Sequence, residues 1–354
     1  MHIKLEQRHA SSLLWQGMSY GLAIMAGFAA TAVLLKLSSA DVSTAFAALL
    51  RGAFGSQRAI LRTLVDATPL IFTGLAALVV FRARIWSIGQ EGQVYAGAMG
   101  AYWVASSLPD APLLVVGPLA IAGAMLGGAT MSGIAAVLRN RYEVNEIFST
   151  VMLNYIVVYL LSWLLSGGPW TEAGTTVAYH QTPLLAQPAW LPQLSGPLHA
   201  GILFAIAAAI SVHLLLERTS SGYDMRALGA NQTALRFMGM DVPRIVLVTM
   251  LLSGALAGLA GGVELLGVQH RLKADYLFGL GYGGIIVAMV GGLRPAGTVA
   301  VAILFGGLSS GAVDMRIQSG VPDSLIQAMQ GTILLFVLCG TALARYRLTW
   351  SSAK

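Results

Sequence analysis

The chain has 354 residues, of which 56% are hydrophobic and 10% charged, with 21 Lys and Arg against 15 Asp and Glu and a formal charge of +6. An ordinary soluble domain is about 25% charged, so a water-soluble fold is excluded; disorder and collagen are excluded too, and the single cysteine, Cys339, permits no internal disulfide. The composition is that of an integral membrane protein whose 41 glycines suit close helix packing in lipid, and the positive balance reads as membrane charge bias rather than nucleic-acid binding.

A membrane-crossing helix needs about 20 apolar residues. Spans are expected at about 14–36, 66–81, 92–108, 113–138, 145–165, 200–216, 245–266, 281–293, 297–313 and 323–343. The expected fold is therefore all-α, a polytopic membrane protein of about ten transmembrane helices forming one domain over 1–354. The first span follows Lys4 and Arg8, and Ser38-Ser39-Ala40 resembles a cleavage site. The apolar run exceeds the about 7–15 residues of a signal peptide, which favours an uncleaved anchor. The loop 166–199 has no Lys or Arg but contains Trp170, Trp190 and five prolines, as an external loop would. With the N-terminus inside, Lys4, Arg8, Arg82, Arg84, Arg139, Arg141, Arg218, Arg226, Arg236, Arg244, Arg294, Arg345, Arg347 and Lys354 gather on the cytoplasmic side, and both termini lie there.

Two halves share their punctuation. Thr73-Gly74-Leu75-Ala76 leads to the break Ile88-Gly89-Gln90-Glu91-Gly92-Gln93, and Ala257-Gly258-Leu259-Ala260 leads to Gly279-Leu280-Gly281-Tyr282-Gly283-Gly284, each followed by three spans. The second to fifth and seventh to tenth helices then form an inverted repeat, and its Gly-broken segments point to a substrate path.

Enzymatic motifs are missing. A Walker A loop needs Gly-Lys-Ser/Thr, but Lys4, Lys36, Lys273 and Lys354 follow Ile, Leu, Leu and Ala. The six histidines are scattered without metal-ligand spacing, and Ser253 lacks a Gly-x-Ser-x-Gly frame. No metal, cofactor or covalent chemistry is expected in this chain.

The most unusual polar stretch is 217–244, with a short helix expected to open at Asn231, whose side chain can cap an orphan amide, and to close at Gly239. Ala234, Leu235, Phe237 and Met238 would leave a small apolar ridge. Such a ridge suits a partner's groove, against the alternative of a solvated positive-inside loop.

From Gly222 to Val242 this stretch resembles the coupling segment of permease subunits in ATP-binding-cassette importers of the branched-chain amino acid, ribose and nucleoside class. The run Ile85-Trp86-Ser87-Ile88-Gly89-Gln90-Glu91-Gly92-Gln93 resembles that class's FNIGAEGQ signature, departing from it at Trp86-Ser87. Asn145 to Tyr155 (NEIFSTVMLNY), Ser253 to Gly262, Glu264 to Gly267 and Gly281 to Pro295 are similar to blocks of the nucleoside-type branch. The resemblance covers roughly 60–340. It implies two cytoplasmic ATPase subunits that bind the ATP, a second permease subunit in a homo- or heterodimer, an external substrate-binding protein, and a bacterial inner membrane. Coupling to the ATPases would involve Gly222, Arg226, Asn231, Ala234, Phe237, Met238 and Gly239.

Candidates for the substrate path are Glu91, Gln93, Asn145, Glu146, Asn154, Tyr155, Glu264 and Tyr282, because polar side chains within a span are costly unless employed. Each has a plainer reading. Glu91 and Glu146 can stabilise helix N-termini, Glu264 can pair with Arg271, and Asn154 and Tyr155 can join helices by hydrogen bonds. A neutral riboside would use Asn154, Tyr155 and Tyr282. The rival cargoes are monosaccharides and branched-chain amino acids, and the rival machine is a stand-alone secondary transporter using the membrane carboxylates for a coupling ion.

Overall fold

A computed structural model describes residues 2–7, 13–38, 41–172, 180–274 and 277–351. Arg8, Ser39, Ala40, Lys354 and the 173–179 part of the expected external loop lie outside them. The described residues are mostly helical: α1 Leu13–Leu37, α2 Val42–Phe54, α3 Gln57–Arg82, α4 Gln90–Ser107, α5 Leu113–Tyr142, α6 Glu146–Leu165, α7 Gly201–Arg218, α8 Ser220–Ala230, α9 Gln232–Phe237, α10 Val242–Glu264, α11 Leu280–Val290, α12 Pro295–Ser319 and α13 Asp323–Arg345. Six are long and apolar enough to cross a membrane: α3, α5, α6, α7, α12, and α10 with the π-helical turn Leu265–Gln269 that continues it.

Several of the expected spans need correction. The span at 281–293 is the 11-residue α11, which rises only about 16 Å and cannot cross alone; Gly291 caps it and Leu293 turns left-handed at φ +55°. The span at 66–81 begins nine residues earlier, at Gln57. Helix α2 was not expected at all. Its 13 residues carry Ser43, Thr44 and Arg51 on an exposed polar face opposite the buried Ala45, Ala48, Leu49 and Gly52, and Asp41 starts it firmly, accepting from the Ser43 amide at 3.0 Å.

The chain divides into two compact units, residues 1–60 with 307–354 and residues 61–306. In the first, α1 packs on α13, with Gly27 against Ile333 and Gly340 against Ala23. Helix α2 lies on the end of α12, where Ser310 Oγ donates to the Gly52 carbonyl at 3.1 Å. Strands β1 His2–Gln7 and β4 Tyr346–Ser351 pair antiparallel, His2 opposite Ser351, so the two ends of the described chain meet.

The second unit is centred on α4, α5 and α10. Gly97, Gly128 and Gly258 let these helices touch at the backbone: a Cβ on Gly258 would run into the Ala124 carbonyl, and one on Gly97 into Gly258 itself. In lipid, where apolar burial supplies little drive between helices, such contact lets dispersion hold them together. Two hydroxyls tie the same core, Ser132 donating to Met250 O at 2.5 Å and Ser253 to Ala76 O at 2.9 Å.

The stretch between α6 and α7 carries the short hairpin β2 Gln193–Ser195 and β3 Leu198–His199. It is strapped along the end of α10. The amides of Thr182, Leu185 and Leu191 donate to the carbonyls of Leu272, His270 and Leu266 at 2.9–3.0 Å, and Trp190 stacks on His270 at 3.8 Å. Burial, and then His270, hold the His199 imidazole down to about 4, so it stays neutral and its Nδ1 accepts from the Gly201 amide at 3.1 Å.

Candidate functional site

Three elements of the second unit converge through their polar side chains. Helix α4 starts at the glycine break, so its first amides have no partner in their own helix. Helix α6 meets one of them and one amide of the break before it. Thr150 Oγ1 accepts from the Ile88 amide at 3.1 Å and Asn154 Oδ1 from the Gly92 amide at 2.8 Å, while Asn154 Nδ2 donates to Ile88 O at 2.8 Å. Gly92 is required here, because a Cβ would strike Asn154.

Helix α4 then does for α11 what α6 does for α4. The Glu91 carboxylate, 2% exposed, accepts from the amides of Gly279, Gly281 and Tyr282 at 2.5, 2.8 and 3.3 Å. Gly279, at φ +91°, turns the chain so that these amides face it, and Gly281 lets α11 lie against the Glu91 backbone. A carboxylate at a helix N-terminus is favoured by the helix dipole and satisfies orphan donors together. The circuit closes where Asn154 Nδ2 approaches Tyr282 Oη at 3.4 Å.

The sequence candidates therefore separate. Glu91, Asn154 and Tyr282 come together, joined by Thr150, which sequence reasoning missed because a threonine in an apolar helix carries no distinguishing signal. Gln93 lines a narrow crevice with Gly89, Gly92, Thr150, Leu153 and Asn154. Its Oε1, both amide atoms of Gln90 and Ser87 Oγ are buried with no hydrogen-bond partner among the described residues. Tyr155 is 54% exposed on the outer side of α6. Asn145 caps α6, accepting from the Ile147 amide at 2.9 Å, and Glu146 pairs with Arg139 at 3.2 Å and accepts from the Trp86 amide at 3.4 Å. Glu264 lies apart at the end of α10. Its neighbours are Asp66 and Gln269, and Arg271 pairs instead with Glu172 at 3.5 Å.

The second candidate region is the segment after α7. Thr219 caps α8, accepting from the Gly222 amide at 3.1 Å, and a Cβ on Gly222 would collide with Leu215 O. Glu217 receives Arg226 at 2.9 Å and Arg82 at 3.7 Å, and Arg82 Nε reaches Leu293 O at 2.8 Å, so α8 is tied to the ends of α3 and α11. Asn231 caps α9 by accepting from the Ala234 amide at 3.1 Å, and Gly239 closes it at φ +76°. The expected four-residue ridge is narrower. Leu235 is buried and anchors the helix, leaving Ala234, Phe237 at 88% exposure and Met238 at 66% to project.

A family model described as branched-chain amino acid transport system / permease component matches residues 59–338. A guanosine ABC transporter permease of Bacillus subtilis is 35% identical over 325 residues, covering 91% of this chain and 93% of its own. A glucose ABC transporter permease of Haloferax volcanii is 32% identical, covering 93% and 90%. A nucleoside ABC transporter permease of Lactococcus lactis subsp. cremoris is 30% identical, covering 89% of each.

Proposed function

We propose that this chain, which belongs to the family of branched-chain amino acid transport system permease components, is the membrane subunit of an ATP-binding-cassette importer for nucleosides in a bacterial inner membrane. It carries no covalent chemistry itself. Partner ATPase subunits bind the ATP, a second permease subunit completes the path in a homo- or heterodimer, and an external binding protein delivers the cargo across the 166–199 side. Residues 217–244 form the coupling segment, and both termini share its cytoplasmic face.

The observation that carries this reading is the tip of α9. A six-residue helix capped at both ends, anchored by Leu235 and presenting Phe237 and Met238 bare, is a knob without a socket among the described residues. The ion pairs of Glu217 with Arg82 and Arg226 tie that knob's base to α3 and α8, so displacement of the segment reaches the membrane helices. A secondary transporter has no use for such a knob. Two of the three carboxylates it would need for an ion are also engaged, Glu91 by backbone amides and Glu146 by Arg139.

For the cargo, the guanosine and nucleoside relatives favour ribosides. The glucose relative supports a monosaccharide as the second reading. The test is ATP-dependent uptake by the complete transporter in proteoliposomes supplied with its binding protein. Guanosine should be accumulated, with competition by other nucleosides and none by leucine; accumulation of glucose, ribose or leucine without guanosine would overturn the assignment.

A further inference from the structure

Glu91 and Asn154 are the polar residues that a substrate-path reading favours, yet their hydrogen-bonding capacity is taken up by the protein. Glu91 is fully engaged at the start of α11, and Asn154 spans Gly92, Ile88 and Tyr282. What they hold in place is an uncovered aromatic surface. Phe278 is 71% exposed, its ring 6.4 Å from that of Tyr282 and nearly perpendicular to it. Tyr155, on the exposed side of α6, directly follows Asn154, whose Nδ2 reaches the Tyr282 Oη at 3.4 Å. Beside Phe278, Gly279 leaves open space where a side chain would stand.

We propose that Phe278, Tyr282 and Tyr155 form a subsite for the planar ring of a neutral heteroaromatic cargo, with Glu91 as the positioning residue that sets Phe278 and Tyr282 through the amides of Gly279, Gly281 and Tyr282. Three observations give the class. Tyr155, 54% exposed, carries its hydroxyl within the membrane-spanning unit, where an acyl chain offers it no partner, whereas a base offers carbonyls and ring nitrogens; the half-buried Tyr282 contributes its ring, its hydroxyl being met by Asn154 Nδ2. Edge-to-face and offset ring contacts reward a flat aromatic ligand over a saturated sugar or a branched side chain. Among the described residues, the charge in contact with these segments is that of Glu91, and its carboxylate is taken up by backbone amides, so a zwitterionic amino acid finds no countercharge there for its own carboxylate.

The inference rests on the nucleoside reading above, and the experiment separates the two. Guanosine, ribose and leucine uptake is measured with the complete transporter in proteoliposomes for wild type, Phe278→Leu, Tyr282→Leu, Tyr282→Phe, Glu91→Gln and Glu91→Asp, with the amount of assembled complex read by size exclusion. If wild type carries ribose or leucine and no guanosine, the nucleoside reading fails and the subsite fails with it. If wild type carries guanosine, Phe278→Leu and Tyr282→Leu are expected to raise its KM tenfold or more with kcat within threefold, and Tyr282→Phe, which keeps the ring, to stay within threefold of wild-type KM. Glu91→Gln should raise KM alongside Tyr282→Leu in complex that is assembled normally, with Glu91→Asp recovering part of the loss. Guanosine KM unchanged within twofold in Phe278→Leu and Tyr282→Leu would overturn the subsite while leaving the nucleoside reading standing. Loss of assembled complex in Glu91→Gln, with wild-type KM in whatever remains, would overturn the positioning role.

Discussion

Asn154 and Asn231 are the same residue performing the same operation in opposite surroundings. Each side-chain carbonyl accepts from a backbone amide near the start of a helix, Asn154 from Gly92 of α4 and Asn231 from Ala234 of α9. Asn154 works across two elements 62 residues apart, is 3% exposed, and also donates to Ile88 O. Asn231 works locally and faces solvent. An amide deprived of its partner in the buried knot finds no water, whereas one at the exposed segment does. The difference teaches that the knot is built to hold three helices in one arrangement, while the segment is built to keep a small surface folded and available.

The largest effect is expected at the centre of the knot. Glu91→Leu strands three amides at the start of α11, and at about 1–3 kcal/mol for each buried unsatisfied group it should lower stability by at least about 3 kcal/mol. Thermal unfolding in detergent reads this, and a loss below about 1 kcal/mol would mean that the amides find other partners. Asn154→Ala should follow at about 2–3 kcal/mol. Asn231→Ala should cost about 1 kcal/mol and only locally, as faster amide exchange across α9 with the unfolding midpoint of the whole chain nearly unchanged. Equal losses for the two asparagines would break the comparison. At the small end, Phe237→Asp removes an exposed ring and should alter stability by less than about 0.5 kcal/mol.

The two regions also differ in how far they could be read from residues alone. The cap at Asn231, the stop at Gly239 and the exposed Phe237 and Met238 were legible because a short helix is governed by neighbours within a few positions. Leu235 was misjudged: in a six-residue helix no periodicity tells the inward position from the outward one. The glycine break at 88–93 announced α4, and the repeat pattern matched it with the break at 279–284, but the direct contact of Glu91 with the amides of Gly279–Tyr282, 188 to 191 residues away, is something spacing does not give. For the same reason, Asn145 and Glu146 looked equal to Asn154 as path residues. The structure finds the first two at the α5–α6 turn, as a cap and an ion pair, and only Asn154 in the knot. The apolar runs gave most of the long helices, whereas α2 escaped because its 13 residues carry Ser43, Thr44 and Arg51 on the polar face. Phe278 went unnoticed because a lone aromatic in a loop has no pattern to mark it.

The claim on which the account turns is that α9 is a socketed knob, and it is tested most directly by capture of the partner. The tagged chain, expressed with the subunits of its own transporter, is purified in mild detergent as wild type and as Ala234→Arg with Phe237→Asp, and the ATPase subunit retained is quantified beside the unfolding midpoint of the permease. Retention by wild type and loss of at least tenfold in the variant, at an unchanged midpoint, is the expected result. Equal retention by both, or ATP-driven transport that persists in the variant, would contradict it.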